Sequence, residues 1–391
     1  MRAYLKVLYS VLLRGIVLPF YLLPVKKDLV VFTGLTGGGG NTDYSCNPKY
    51  IYRYLRRQAG GSLRCAWIVS DPGNCRFLKR QGAKVYKHFS VQAMLALLTA
   101  RVIVTNGSYA PWFPFRKTQY VINTWHGGGA YKKVEVETGK GSPATRYLQR
   151  FAADNIDLFL ASCKAQEEHM LRGSYGYNGE ILRAGTPRND LLVKKRTAKM
   201  AMRARRHYGI PDDAKIVLYA PTYRNIARPV TVDADAVVEA LEKDGGKWVF
   251  LSRFHRYQQD GMGLSVSGSR IVDAVDYPDM QELLAACSVL ITDFSSVVWD
   301  YGFLERPAFL FVPDENDYLT ENGFYTPFAD LPYPRSHAMD ELTEQLAKPR
   351  DAEYLKELSG RIRKHQEKLG SYETGHAAKT VAKRIVKLCG L

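Results

Sequence analysis

A single histidine at the end of an apolar run is followed by three glycines. His126 stands in VINTWHGGGAYKKV, residues 121–134. The glycines could simply turn the chain, because glycine adopts backbone angles that other residues avoid. Alternatively, the imidazole lies at the carboxyl end of a parallel strand, where open α/β sheets bind their ligands, and the glycines let a substrate approach. On the second interpretation His126 is a catalytic residue.

Polar residues follow three predicted strands in the second half of the chain. They are Thr222, Arg224, Arg253, His255, Ser295 and Ser296. The serine pair begins a helix, whose unpaired N–H groups and dipole favour an anion, although serine is also an ordinary helix cap. The arginine and histidine of SRFH alternate along a strand and share one face, and arginine binds phosphate with two hydrogen bonds. Together the three strand ends predict a phosphate site.

The elements that position these residues follow one pattern along the chain. Short apolar segments such as LVVFTG (29–34), VIVTNG (102–107), KIVLYAPT (215–222) and VLITD (289–293) alternate with helical segments. This alternation predicts parallel sheets covered by helices on both faces. Two such sets predict two doubly wound, Rossmann-like α/β domains, which we expect to face each other across a cleft. One side would hold a nucleotide-bound donor and the other a nucleophile.

The domain boundaries are predicted from composition and charge. Residues 1–24 are apolar but interrupted by Lys6, Arg14 and Pro19, so we interpret them as a membrane-associating segment, with an ordinary core helix as the alternative. Residues 25–208 form the N-terminal domain and residues 209–369 the C-terminal, nucleotide-binding domain. Residues 370–391 form a helix that we expect to pack on the N-terminal domain.

The overall charge limits the class of partner. The chain has 391 residues and a formal net charge of +16, which favours an anionic membrane, a phosphate-rich substrate or nucleic acid. No long basic run or nucleic-acid-binding module occurs, so we expect no nucleic-acid partner. The six cysteines form no CxxC pair, and no Asp/Glu cluster indicates a metal site. We therefore expect no metal and no cofactor. The scattered cysteines suit a protein of the reducing cytoplasm.

Seven segments in order along nearly the whole chain resemble the CDP-glycerol glycerophosphotransferase family, the teichoic acid primases and polymerases. They are DYSCNPKYIYRYL (43–55), INTWHGG (122–128), GTPRND (185–190), LYAPTYR (218–224), SRFH (252–255), YPDMQELLAACSVLITDFSSVVWDY (277–301) and ENGFYTPFADLP (321–332). The resemblance implies a GT-B-like fold on a membrane surface. It also implies transfer of glycerol phosphate from CDP-glycerol to a hydroxyl of a lipid-linked acceptor, with release of CMP.

The resemblance also implies roles for individual residues. His126 matches the histidine that acts as the base, and Trp125, Gly127 and Gly128 would lie on the acceptor side. His255 matches a second family histidine, and the serine pair would bind the pyrophosphate. The chain departs from the family where Gly128 and Gly129 replace Thr-Pro, where Arg256 replaces proline, and where Phe294 replaces tyrosine. The first departure leaves the identity of the acceptor open.

We therefore predict a phosphotransferase at the cytoplasmic face of the cell membrane. Its expected partners are a nucleotide-activated polyol, a lipid-linked acceptor and an anionic membrane surface. One alternative is a GT-B glycosyltransferase that uses a nucleotide sugar for surface polysaccharide synthesis, because the same fold and a similar donor site serve both reactions. A membrane-bound polyanion-binding protein without enzymatic activity would explain the charge but not the ordered motifs.

Overall fold

The chain folds into two compact units. In the computed structural model, residues 2–34, 43–107, 113–134, 142–222, 230–253 and 270–391 are described. The first unit consists of Met1–Gly127, Lys133–Asp190 and Tyr372–Leu391, and the second of Gly128–Lys132 and Leu191–Ser371. The chain therefore enters the second unit for five residues shortly after His126.

The first unit is built on a seven-stranded parallel sheet. Its strands are β1 (Lys26–Thr33), β2 (Arg64–Val69), β3 (Lys84–Lys87), β4 (Ala100–Thr105), β5 (Tyr120–Asn123), β6 (Leu158–Ala161) and β7 (Glu180–Arg183). The order across the sheet is β3-β2-β1-β4-β5-β6-β7. This is the Rossmann order, and its direction reverses between β1 and β4, where doubly wound sheets bind ligands.

Helices cover both faces of this sheet. They are α1 (Arg2–Val17), α2 (Cys46–Ala59), α3 (Arg76–Arg80), α4 (Val91–Thr99) and α5 (Pro143–Asp154), with a 3₁₀ turn at Leu18–Leu22 and a π-helical segment at Gln166–Ser174. Successive residues of β1 point to opposite faces. Val30 and Phe32 therefore join one core cluster, and Leu29 and Val31 join the other, together with α4.

The second unit repeats this architecture with six parallel strands. They are β8 (Ala214–Tyr219), β9 (Lys247–Ser252), β10 (Ile271–Asp273), β11 (Val289–Thr292), β12 (Ala308–Phe311) and β13 (Arg335–Ser336), in the order β10-β9-β8-β11-β12-β13. The helices that follow α5 are α6 (Asp190–Val193), α7 (Ala198–Tyr208), α8 (Ala234–Glu242), α9 (Met280–Ala286), α10 (Val297–Gly302), α11 (Glu315–Asn322), α12 (Met339–Ala347) and α13 (Ala352–Lys368). Here the order reverses between β8 and β11.

The chain returns to the first unit with its last helix, α14 (Ala377–Leu388). Val381 and Ile385 of this helix are buried in the core cluster that contains Phe32. The Asp190 carboxylate accepts hydrogen bonds from the N–H groups of Ala377 and Ala378, at 2.8 and 2.9 Å. It therefore satisfies two of the donors that a helix start leaves unpaired.

The prediction of two parallel-sheet, Rossmann-like domains is confirmed. The boundary between the units falls at Asp190, earlier than residue 208, because α7 packs on α9 of the second unit. Within the described part of the chain, no helix combines the length and the apolar character needed to span a bilayer.

Helix α1 has one packed side and one exposed apolar side. Its Val17 joins the core, and the Arg14 guanidinium lies 3.4 Å from the centroid of the Phe151 ring on α5. Leu5 and Ile16 remain about 60% exposed, together with several other large apolar residues of this helix. Packing on the protein and exposure of apolar surface therefore coexist in this segment.

Candidate active site

His126 lies beyond the carboxyl end of β5, and a hydrogen bond brings its ring to the end of β4. Nδ1 of His126 is 2.9 Å from the carbonyl oxygen of Asn106, which follows β4. A carbonyl oxygen can only accept, so Nδ1 must carry the proton in this bond. The neutral ring therefore presents its basic lone pair on Nε2. The same bond places the imidazole beside the switch point between β1 and β4.

The surroundings of His126 favour the neutral imidazole. The side chain is exposed to solvent, yet enough protein atoms surround the ring that desolvation lowers its pKa. The bond to Asn106 acts in the opposite direction, and the positive charge of Arg188 lowers the pKa further. These observations are compatible if the ring lies in a recess that solvent enters. A neutral histidine at neutral pH is suited to accept a proton.

The backbone that carries His126 is held in an unusual conformation. Trp125 has φ +51°, in the left-handed region that costs a residue with a side chain about 1–2 kcal/mol. Its N–H donates to Oδ1 of Asn123 at 2.9 Å, and its carbonyl accepts from Nδ2 of Asn47 at 2.9 Å. Side-chain amides from β5 and α2 therefore fix this turn. Strain of this kind is typical of functional sites.

A buried arginine links three segments of the first unit around this turn. Arg188, in the 3₁₀ turn Pro187–Asn189, donates through Nη1 to the carbonyl of His126 and to Sγ of Cys46. Its own N–H donates to Oδ1 of Asn47 at 3.1 Å. On the other side, Nε2 of the buried Gln166 donates to the carbonyl of Gly127 at 3.1 Å. The segments that include residues 43–50, 122–128 and 185–190 thus converge on one site.

Gly128 and Gly129, which follow Gly127, are packed against aromatic side chains. A Cβ atom on Gly128 would lie 2.0 Å from Cδ1 of Trp299, which is buried in the second unit. Gly129 has φ +70°, and a Cβ there would lie 2.5 Å from the Tyr131 ring. Hydrogen bonds from Thr326 to the Ala130 carbonyl and from Tyr325 to the Tyr131 carbonyl hold the same five-residue segment. Gly128 therefore has a packing role, and its place on the acceptor side stays a prediction.

In the second unit, Thr222 and Asp293 meet across the switch point between β8 and β11. The N–H of Thr222 donates to both carboxylate oxygens of Asp293, at 2.8 and 3.0 Å, and its hydroxyl donates to Oδ1 at 2.6 Å. Asp293 is buried, so these bonds replace the water that the carboxylate loses. They tie together the ends of the two strands where a doubly wound sheet binds its ligand.

The serine pair follows directly on this link. Ser295 and Ser296 are half-buried and precede α10, and the Ser295 hydroxyl accepts from the N–H of Val297 at 3.3 Å. The Ser296 side chain makes no capping hydrogen bond to α10. Ser295 thus acts as a helix cap, which was the alternative to an anion-binding role, whereas Ser296 does not.

Arg253 lies at the carboxyl end of β9, next to β8. Its Nη1 donates to the carbonyls of Ala274 and Val275, at 2.6 and 3.3 Å. Burial lowers its pKa, while nearby Tyr208 and several aspartates act in the opposite direction. Part of the guanidinium is therefore engaged by the protein. Arg224 and His255 lie outside the described residues.

The structure brings Thr222, Arg253, Ser295 and Ser296 to the carboxyl edge of three adjacent strands. Arg188, Asn47 and Asp293 also belong to the site, and all three stand in segments that resemble the family, but their residue types alone did not indicate a role. The segments that resemble the family, in the same order along the chain, were the sequence signal that could have pointed to these residues. Spacing alone does not show which side chains of a segment face the site. Among the described residues, no group of His, Cys, Asp or Glu could hold a metal ion.

The two Rossmann-like units, each with polar residues at its switch point, define the class of doubly wound α/β proteins. A family model described as CDP-Glycerol:Poly(glycerophosphate) glycerophosphotransferase matches residues 17–387. The chain belongs to this family.

Several relatives and one solved structure resemble the chain along most of its length. It is 27% identical over 367 residues to a teichoic acid poly(glycerol phosphate) polymerase of Bacillus spizizenii, covering 90% of each protein. It is 26% identical to the Bacillus subtilis polymerase of the same description over 93% of this chain, but spans about half (49%) of that relative. The structure of the wall teichoic acid polymerase TagF superposes with a TM-score of 0.82 at 26% identity, covering 100% of this chain and 98% of the chain in that structure.

Proposed function

We propose that this chain transfers glycerol phosphate from CDP-glycerol to a hydroxyl of a lipid-linked acceptor and releases CMP. The product would belong to teichoic acid or a similar cell-surface polymer. Family membership and the relatives support the reaction class. The observation that carries the proposal is the His126 ring. Its Nδ1 is bound to the Asn106 carbonyl, and its Nε2 has no hydrogen-bond partner among the described residues, so Nε2 can act as a base.

In the proposed step, the acceptor oxygen attacks the phosphorus that bears the glycerol. Nε2 of His126 takes the proton of the attacking hydroxyl. A new P–O bond forms to the acceptor, and the bond between this phosphorus and the bridging oxygen breaks. CMP leaves with the electron pair. The lowered pKa of His126 keeps the ring unprotonated at neutral pH, which this step requires.

We propose that the second unit holds the donor at the carboxyl edge of β8, β9 and β11. Ser295 and Ser296 would offer hydroxyl and N–H donors to the pyrophosphate, and Arg253 would add its charge. Thr222, whose N–H and hydroxyl both donate to Asp293, would hold the end of β8 in place beside the donor. Arg224 and His255 are proposed for the same site from the sequence alone. Donors fixed in advance stabilise charge that develops on the phosphates without reorganising during the reaction. We also propose that no metal or other cofactor takes part.

The lipid-linked acceptor requires that the protein work at a membrane. We propose that residues 1–24 associate with the cytoplasmic face of the membrane through the exposed side of α1, where the lipid-linked acceptor would be presented. The reaction also requires the two units to bring base and donor together, as the GT-B-like arrangement expected from the sequence would do.

Product analysis tests the reaction. The purified protein is incubated with a lipid-linked disaccharide and, in separate reactions, CDP-glycerol, CDP-ribitol or a nucleotide sugar. We expect a mass increase of one or more glycerol phosphate units together with CMP. Transfer of a sugar alone would favour the glycosyltransferase, and a ribitol phosphate product would change the donor but not the chemistry.

Substitution of His126 tests the base. His126→Ala and His126→Asn should lower turnover by about 10²–10⁴, the usual contribution of acid–base catalysis. The affinity for CDP-glycerol should hardly change, because the donor is held by the other unit. Near-wild-type turnover of a folded His126→Asn protein would show that the histidine is structural.

A further inference from the structure

The positive charge of the chain is concentrated in its first third. Residues 1–134 contain 20 lysines and arginines but only three acidic residues, a net charge of +17. Residues 135–391 contain 35 basic and 36 acidic residues, a net charge of −1. The overall charge of +16 therefore arises from this part of the chain, which belongs to the first unit except for Gly128–Lys132. An unbalanced charge of this size favours an anionic partner for that part.

One edge of the first unit combines this charge with exposed apolar side chains. The basic edge, as we define it, consists of Arg76, Lys79, Arg80, Lys84, Lys87, Phe89 and Val91. The five basic residues lie on α3 and on β3, the outermost strand of the sheet, and all are exposed. None of them forms an ion pair with another described residue, and residues 72–134 contain no Asp or Glu. Within the described part of the chain, their charge is therefore not balanced by a carboxylate partner.

An aromatic residue projects from the end of this edge. Phe89 is 74% exposed and has φ +60°, which is unusual for a residue with a side chain. The turn is well defined, because the hydroxyl of the next residue, Ser90, donates to the Lys87 carbonyl and accepts from the N–H of Ala93. Val91, at the start of α4, is 71% exposed. A fixed turn thus presents two apolar side chains beside a row of lysines.

Helices α1 and α4 cover the same face of the sheet. Val17 of α1 and Ala93 and Leu97 of α4 belong to one core cluster. The exposed apolar side of α1 and the exposed start of α4 therefore belong to the same layer. A soluble polyanion would be attracted by the lysines but would gain nothing from Phe89 and Val91. A bilayer with anionic lipids offers partners for both.

We propose that the basic edge is a second membrane-docking surface, at which Phe89 and Val91 enter the interface of an anionic bilayer. The proposal rests on the membrane association proposed above and adds a surface outside residues 1–24. Lysines near an anionic membrane attract it electrostatically, and salt screens this attraction. Burial of apolar side chains adds a contribution that salt does not screen.

Vesicle binding by the full-length protein tests the charge. Vesicles of phosphatidylcholine with and without phosphatidylglycerol are sedimented with wild type and with Lys79→Gln/Lys84→Gln/Lys87→Gln. We expect the triple variant to bind the anionic vesicles about 100-fold more weakly at low ionic strength, about fivefold for each lysine, with the difference vanishing at high salt. The matched control neutralises three exposed lysines of the second unit, Lys199→Gln/Lys243→Gln/Lys356→Gln, and should bind as wild type. Equal losses in both triple variants would overturn the proposal.

The apolar contribution is tested at Phe89. Phe89→Ser should weaken vesicle binding at least about tenfold at both low and high salt. Fluorescence of Phe89→Trp should be quenched by lipids brominated on their acyl chains, whereas Leu355→Trp, on the second unit, should not be. Absence of quenching at residue 89, or binding of Phe89→Ser equal to wild type, would overturn the proposal and indicate a soluble polyanion as the partner.

Two further measurements separate this inference from the proposed function. Leu5→Ser/Leu12→Ser alters the exposed side of α1 alone. If this variant no longer binds vesicles while the basic-edge variants bind them normally, the basic edge is not a docking surface, and the role of residues 1–24 stands. Turnover with CDP-glycerol and a short, detergent-free acceptor should be unchanged in Phe89→Ser. A loss of that turnover would place the edge in the active site and overturn the docking role. If wild type binds no vesicles, the membrane association itself fails, while the transfer reaction is judged on the soluble acceptor.

Discussion

Replacing Gly128 with alanine distinguishes packing from substrate access as the reason for the glycines after His126. The new methyl group would lie 2.0 Å from Cδ1 of Trp299, whereas ordinary contacts begin near 3.4 Å. Trp299 is 1% exposed and has little room to move. Overpacking of this kind costs about 1–3 kcal/mol. For a unit of this size each kcal/mol lowers the melting temperature by about 2–4 °C, so we expect a decrease of about 2–12 °C.

Calorimetry of Gly128→Ala checks this expectation, with Gly360→Ala as the matched control. Gly360 lies within α13 of the same unit, where an added Cβ would have no atom within 4 Å, so this substitution should leave stability unchanged or raise it by up to about 1 kcal/mol. A second change, Trp299→Leu, should recover part of the stability that Gly128→Ala loses. If Gly128→Ala melts at the wild-type temperature, the packing argument is wrong. If the double variant is stable but inactive on the acceptor, the glycine also serves substrate access.

Three further predictions concern the charges and hydrogen bonds of the site. Because the pKa of His126 is lowered, the wild-type rate should fall only as pH drops below the usual histidine value of about 6.5. Arg188→Gln should raise the pKa of His126 and move the acid limb of the pH–rate profile to higher pH, whereas Arg188→Lys should not. Identical pH–rate profiles for the two variants would contradict the electrostatic role of Arg188. Asp190→Ala should cost about 0.5–2 kcal/mol, since α14 loses its cap; unchanged denaturant unfolding would count against it. Ser295→Ala/Ser296→Ala should weaken CDP-glycerol binding in calorimetry, and wild-type affinity would leave the serines as structural residues.

The sequence by itself determined the fold class, because apolar strands alternate with helices twice along the chain. A strand buried on both faces must be apolar at nearly every position, as in LVVF of β1 and VLIT of β11, and this pattern is local. The same pattern also located the candidate site residues, since polar residues that follow such strands lie together at one edge of a parallel sheet. His126, Thr222 and Ser295 were found in this way. The ordered segments made the family recognisable.

Only the tertiary structure decided how these groups are held. Arg188 and Asn47 are far from His126 in sequence, and their hydrogen bonds to its turn exist only after α2 and the turn after β7 have packed beside β5. The tautomer of His126 depends in the same way on a carbonyl at the end of β4. Gly128 was open to two interpretations because the indole that fills its space comes from Trp299, more than 170 residues later. Local patterns specify strands and turns, whereas partners so distant along the chain meet only when the sheet order is established.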